Sequence, residues 1–151
     1  MRTSQLIWLA LCGSVLAQWV NGWKILSSDP EFGSVEANPI FFVGIPLIWG
    51  LSYAAYALLG RMARSKLNLR ESAANAVTDH ELVPAYQLPF LVSAAILEAV
   101  SPLGLYLAVL KKVGMDGFMV FEGAALVGLL MARPSLEKAR RLFGVTRVTE
   151  L

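Results

Sequence analysis

The chain has 151 residues, of which 56% are hydrophobic and 16% charged, with a net charge of +2 and a mean hydropathy of +0.59. Soluble domains carry about 25% charged residues, so an ordinary water-soluble domain is excluded. The single cysteine, Cys12, excludes an intrachain disulfide, and the basic residues form no contiguous patch of the kind that binds nucleic acid.

The charges cluster and leave four apolar stretches, residues 5–23, 39–60, 86–110 and 117–132. A helix needs roughly 20 residues to cross the hydrocarbon core. The first three stretches suffice, and the fourth does so if it begins near residue 114 and takes Asp116 into the interface. The expected fold is all-α, a polytopic transmembrane bundle of four helices at 5–23, 39–60, 86–110 and 114–132. An amphipathic basic tail at 133–151 completes a single membrane domain over residues 1–151.

In the first span, Trp8, Trp19 and Trp23 lie near the ends, as in an aromatic belt. The run Leu6 to Leu16 followed by Ala17 also fits a cleavable signal peptide, although apolar character continues through Val20 to Trp23, which suits an anchor. The loop at 24–38 carries Asp29, Glu31 and Glu36 between turn-forming residues. Pro39 suits the first turn of the second helix. Pro46, deeper in that helix, is expected to kink it by freeing the Phe42 carbonyl.

The central loop at 61–85 opens with Arg61, Arg64, Lys66 and Arg70, and Thr78 with Glu81 forms a capping box before the third helix. Together with Arg133, Arg140 and Arg141 of the tail, these basic side chains are expected to contact anionic lipid. The positive-inside rule then places both termini and the central loop in the cytoplasm, against the lesser charge of Lys111 and Lys112. Residues 111–116 are short enough to make the third and fourth helices an antiparallel hairpin.

Two acids lie inside apolar spans. Glu98 is the sole charge in residues 86–110, and a carboxylate at mid-membrane costs at least about 2.5 kcal/mol. Pro102, four residues on, has no N–H for the Glu98 carbonyl. Ala94, Ala95 and Ser101 are small neighbours that allow another helix to approach. An ion site, if present, would comprise Glu98, Ser101, Pro102 and Tyr53. Glu122 is the second acid, placed with Gln18 and Tyr106 in a secondary polar cluster. Helical spacing sets it opposite the small packing ridge Ala124, Gly128 and Ala132, so it is expected to reach out towards the interface, the alternative being a second protein neighbour such as another subunit. His80 is the one histidine, and Asp79-His80-Glu81 points to different sides of a helix. No catalytic, cofactor-binding or metal-ligand pattern is legible. The expected protein is non-enzymatic.

The stretch Ile96-Leu97-Glu98-Ala99-Val100-Ser101-Pro102-Leu103-Gly104-Leu105-Tyr106-Leu107-Ala108-Val109-Leu110 resembles the ion-binding helix of rotary ATPase proteolipids (subunit c). There a carboxylate followed by alanine and a Gly-Leu-x-x-Ala run carries a proton or sodium ion. The resemblance implies that Glu98 is the carrier, with Ser101 as an extra ligand. The chain as a whole looks like small four-span bacterial membrane proteins of unknown function, which implies a multi-pass protein of a bacterial inner membrane. Two expectations follow. One is a homo-oligomeric or accessory membrane subunit with Glu98 as a buried tie, and the other a proton- or cation-translocating protein that uses Glu98.

Overall fold

The computed structural model describes residues 2–36, 38–66 and 79–144, and these are all-helical with no strand. Six α-helices follow in order: α1 (Arg2–Ser27), α2 (Gly44–Lys66), α3 (Asp79–Glu98), α4 (Val100–Val109), α5 (Met115–Met131) and α6 (Leu136–Phe143). Two short 3-10 turns, Pro30–Ser34 and Pro39–Val43, connect α1 to α2.

Three helical stretches, Arg2–Ser27, Pro39–Ser65 and Leu82–Val109, are long and apolar enough to cross a membrane. α5, with 17 residues, reaches that length only together with α6, and the two are bent by 76°. The bend has a local cause. Pro134 has no N–H with which to continue α5, and Ser135 is extended (φ −143°, ψ 153°) to cap α6, its side chain accepting from the Lys138 N–H at 3.2 Å. The structure thus supports three to four spans.

Two proline expectations shift in place. Pro46 lies in the first turn of α2, where a missing N–H breaks no intrahelical bond. The irregularity sits upstream instead, in the 3-10 turn that Asn38 caps by accepting from the Ile40 N–H at 3.1 Å. The helix expected at 86–110 starts earlier, at Asp79, carries Pro84 and Pro89, and breaks at Ala99. There the Ala99 N–H is shared between the carbonyls of Ala95 and Ile96, both at 3.2 Å. Pro102 follows in the first turn of α4. The Thr78 cap, Arg70 and residues 145–151 fall outside the described residues.

α2 packs antiparallel on α3, while α5 lies against both α1 and α4. The large side chains of the core include Tyr86, Phe90, Phe118, Phe121 and Leu129. Glycines on the facing helices receive the α5 aromatics. A Cβ at Gly104 would stand 2.3 Å from Phe121 Cβ, and one at Gly22 would stand 2.5 Å from Phe118 Cζ. α6 is strongly amphipathic. It buries Ala139 and Phe143 and sets Leu142 into a notch at Gly60, where a Cβ would come within 2.5 Å of Leu142 Cδ1. We predict that Gly60→Val lifts α6 from the bundle. Overpacking of this kind costs about 1–3 kcal/mol, so tryptic cleavage at Arg140 or Arg141 should accelerate roughly tenfold. Unchanged cleavage would mean that α6 is held elsewhere.

The helix ends find specific partners. Pro134 ends the ladder, and the Trp8 indole N–H donates to the Leu129 carbonyl of α5 at 2.7 Å. The Lys138 ammonium donates to the carbonyls of Met131 and Arg133, a cation at a helix C-terminus. At the other end of the bundle α4 closes with a Schellman motif. Lys112 N–H reaches the Leu107 carbonyl at 2.9 Å, and Lys111 N–H reaches that of Ala108 at 2.7 Å.

Lys111 has a φ of 54°, a left-handed conformation that costs a non-glycine residue about 1 kcal/mol. Its ammonium offsets part of that by pairing with Glu31 at 2.5 Å and Asp29 at 3.5 Å. The hydrogen bond to Glu31, aided by both carboxylate charges, holds Lys111 above its ordinary pKa of 10.5. A raised ammonium contributes stability fully below the unfolded value and loses it as the pH climbs through the folded one. Hydrogen exchange in the Asp29 to Val35 loop should therefore be insensitive to Lys111→Gln only above pH 10.5. Faster exchange in the variant at neutral pH is the expected result.

Candidate functional site: a buried carboxyl shared by three helices

The polar interior of the bundle forms where α1, α4 and α5 meet. α5 presents Phe118, Phe121, Glu122, Ala125 and Leu129 to its neighbours, all buried. Glu122 lies near the midpoint of this 17-residue helix and is 0% exposed. α4 buries Val100, Ser101, Gly104 and Ala108. Gly104 lets the α5 backbone come close enough for the short serine side chain one turn earlier to meet Glu122.

Ser101 Oγ lies 2.8 and 2.7 Å from the two carboxyl oxygens of Glu122 and 2.9 Å from Gln18 Oε1 on α1. Gln18 Nε2 in turn reaches Ser14 Oγ at 3.4 Å. A hydroxyl has one proton and can serve only one of these acceptors. With the amide oriented as described, Ser101 donates to Gln18, and the contact with Glu122 is a hydrogen bond only when the carboxyl supplies the proton. With the amide turned over, Gln18 donates to Ser101 and Ser101 donates to the carboxylate. The site can therefore hold one proton more or less by rotating a single amide group. The contacts tie three helices together through one serine hydroxyl.

The position of Glu122 corrects the expectation that it reaches out to the interface. It does not snorkel; it lies on the packed face. The expected small ridge is split, since Gly128 is buried while Ala124 and Ala132 are only half-buried. The small residues that matter are Gly22 and Gly104, on the helices facing α5.

The structure distributes the other expected site residues differently from the sequence reading. Ser101, grouped with Glu98 in the sequence, bonds Glu122 instead. Glu98 is half-buried at the last residue of α3, and among the described residues no hydrogen bond or ion pair reaches it. Pro102 is exposed, and Tyr53 is 74% exposed on α2, at a groove whose lining includes Leu97 but not Glu98. Of the secondary cluster, Gln18 and Glu122 are joined through Ser101, whereas Tyr106 is 61% exposed and stands apart.

Among the basic residues, Arg61 and Arg64 are exposed, and the Arg64 guanidinium lies against Gly144, the left-handed cap of α6. Arg133 is stacked over the Trp8 ring at 5.7 Å, and Arg141 pairs with Glu137. Arg140 is half-buried on the last turn of α6. The side chains of Lys66 and His80 lie outside the described residues. Among the described residues no three His, Cys, Asp or Glu side chains gather as a metal site.

Two contacts that sequence reasoning missed are the Trp8 bond to Leu129 and that of the Trp19 indole N–H to Met119 Sδ at 3.0 Å. Both tie half-buried tryptophans of α1 to α5. Comparison with protein-family models, with curated proteins and with solved structures finds no match to this chain.

Proposed function

We propose that this is a non-enzymatic multi-pass membrane protein that acts by association, as a homo-oligomer or as an accessory subunit of a larger membrane assembly. Gln18, Ser101 and Glu122 are its internal tie, and Glu98 is the group it offers to a neighbour. The observation that carries this reading is the state of Glu98. It lies within a 28-residue apolar span, is partly open to the outside of the bundle and has no partner among the described residues. A carboxyl facing lipid at that depth is costly, and a second polypeptide that covers it removes the cost. Exposed Ala95, Ala99 and Pro102 beside it present little bulk to an approaching helix.

In this reading the basic end of the bundle, with α6 and Arg61, faces the cytoplasm of a bacterium, and both termini lie there. The same reading takes α1 as a retained span, which the Trp8 bond to α5 supports. The test is proximity in native membranes. Ala99→Cys in a Cys12→Ser background should form a disulfide-linked dimer or a cross-link to another subunit. A monodisperse monomer by native mass measurement, with no cross-link at this position, would remove the proposal.

A second reading has Glu98 as a proton or cation carrier, and the same lack of a partner favours it. A lipid-soluble carbodiimide should modify Glu98 in membranes under the carrier reading, whereas a neighbour that covers it, as in the first reading, should shield it as the bundle shields Glu122. The readings part again at Glu98→Gln. The amide can still hydrogen-bond across an interface, so association survives. It cannot carry a proton, so any proton or sodium flux in reconstituted vesicles would stop.

A further inference from the structure

A groove elsewhere in the bundle is lined by neither acid. Because α2 packs on α3 while α5 packs on α1 and α4, the space between α2 and α5 stays open along one side of the bundle. The result is a groove of about 680 Å³ floored by Phe90 and Leu97 of α3 and walled by Trp49 and Tyr53 of α2. Its residues from Tyr86 to Leu97 cover about 16 Å along the helix axis. Tyr53, 74% exposed, and Met131, 67% exposed, stand at its open side and so at the flank that lipid would bathe. The groove is therefore a slot in the membrane-facing surface.

One end of the slot is different. α6 folds across it and contributes Lys138 and Arg141. Lys138 donates to two carbonyls, which leaves one of its three N–H groups uncommitted. Arg141 is bound to Glu137 through one nitrogen, with the rest of its fork open and the side chain 79% exposed. Partial burial, with the nearby charge of Arg133, lowers the pKa of Lys138 below its ordinary value. Positive charge at this mouth exceeds the negative charge beside it. An apolar slot along the membrane with cations at its interfacial end has the charge and shape pattern of a bound amphiphile.

We propose that this groove holds one acyl chain of an anionic phospholipid from the leaflet in which α6 lies, with the lipid phosphate at Lys138 and Arg141. The chain lies against Phe90 and Leu97 and enters sideways past Tyr53. This site would fix α6 to the bundle through lipid, independently of how Glu98 is used.

The test is native mass measurement of the full chain after delipidation and exposure to mixed micelles of phosphatidylglycerol or phosphatidylcholine of identical acyl chains. One retained phosphatidylglycerol per chain is expected, preferred about tenfold over phosphatidylcholine given the attraction of basic residues for anionic lipid. Lys138→Gln with Arg141→Gln should abolish the preference. Ala132→Phe, which fills the groove beside its mouth, should abolish retention of either lipid with the helical content unchanged. If Ala132→Phe does not fold, Met131→Trp at the rim serves the same purpose. Equal retention of the two lipids would overturn the proposal. So would full retention in the groove-filling variant, which would place the lipid on the α6 surface.

Discussion

Gly104→Ala should leave the protein largely unfolded in mild detergent, although alanine is the better helix former. Relative to glycine, alanine favours a helix interior by about 1 kcal/mol. Against that, the new methyl group would stand 2.3 Å from Phe121 Cβ and 2.9 Å from its Cγ. The Cγ can swing about the Cα–Cβ bond, but the Cβ cannot move without the backbone of α5, so α4 and α5 must separate. Overpacking costs about 1–3 kcal/mol where side chains can give way, and here the upper end or more is expected. The separation would also open the Ser101 to Glu122 contact.

A control comes from Gly22, whose added Cβ would meet the ring tip of Phe118, with Cζ at 2.5 Å. That clash lies at the far end of a side chain, so Phe118→Leu should recover much of the loss in Gly22→Ala. Phe121→Leu keeps the offending Cβ and should recover nothing in Gly104→Ala. Gly50→Ala, with open space around it, should be neutral or slightly stabilising. Thermal melting in detergent, read from the helical signal, ranks all of them. Rescue of Gly104→Ala by Phe121→Leu would show that the close approach of α4 to α5 has been misread.

These glycines also show why part of the structure was legible in the sequence and part was not. Apolar length is a property of single segments, so the spans near 5–23, 39–60 and 86–110 could be read directly, as could the disruption that Pro102 brings. The break came at Ala99 because a proline disturbs the turn before it. Partnerships between helices are a different matter. Ser101 lies three residues from Glu98, so spacing along one helix grouped them. Yet Ser101 is buried and Glu98 is not fully so, and the serine answers an acid 21 residues away on another helix.

The small ridge on α5 looked like its packing face because small residues let helices approach. The complementary arrangement, large aromatics on α5 and glycines on α1 and α4, achieves the same approach and turns Glu122 inward. A sequence holds both solutions equally well. Likewise Trp8 and Trp19 fit an interfacial belt by position, and no local pattern announces that their indole N–H groups also reach a carbonyl and a thioether of α5. The α6 bend was foreshadowed by Pro134, but the docking of Leu142 at Gly60 depends on two distant segments. The groove between α2 and α5 is a consequence of which helices pair, and no local pattern announces it.

The polar tie makes the second large prediction, an asymmetry between its two ends. Ser101→Ala and Glu122→Leu remove the same contact, yet Ser101→Ala should be the more damaging. It leaves a fully buried carboxyl and the Gln18 amide oxygen without their shared partner, and a buried polar group left unpaired costs about 1–3 kcal/mol. Glu122→Leu fills nearly the same space with an apolar side chain and leaves Ser101 free to donate to Gln18 at 2.9 Å. Replacing a buried polar group with a well-packed apolar one is often close to neutral, so a change within about 1 kcal/mol is expected. Glu122→Gln should behave similarly, since its amide can donate to Ser101 and polar contacts inside membrane proteins average only about 0.6 kcal/mol. Glu122→Ala creates a cavity in a packed core and should cost about 2–4 kcal/mol.

The double variant Ser101→Ala with Glu122→Leu is the decisive member, because it removes the stranded acid. It should be more stable than Ser101→Ala alone. The measurement is the midpoint of unfolding in sodium dodecyl sulfate titrations from mild detergent. If Glu122→Leu proves as damaging as Ser101→Ala and the double variant recovers nothing, the carboxyl makes contacts beyond Ser101. Its role as a simple tie would then be lost, and its capacity to hold a proton would become the reason for its presence at the centre of the bundle.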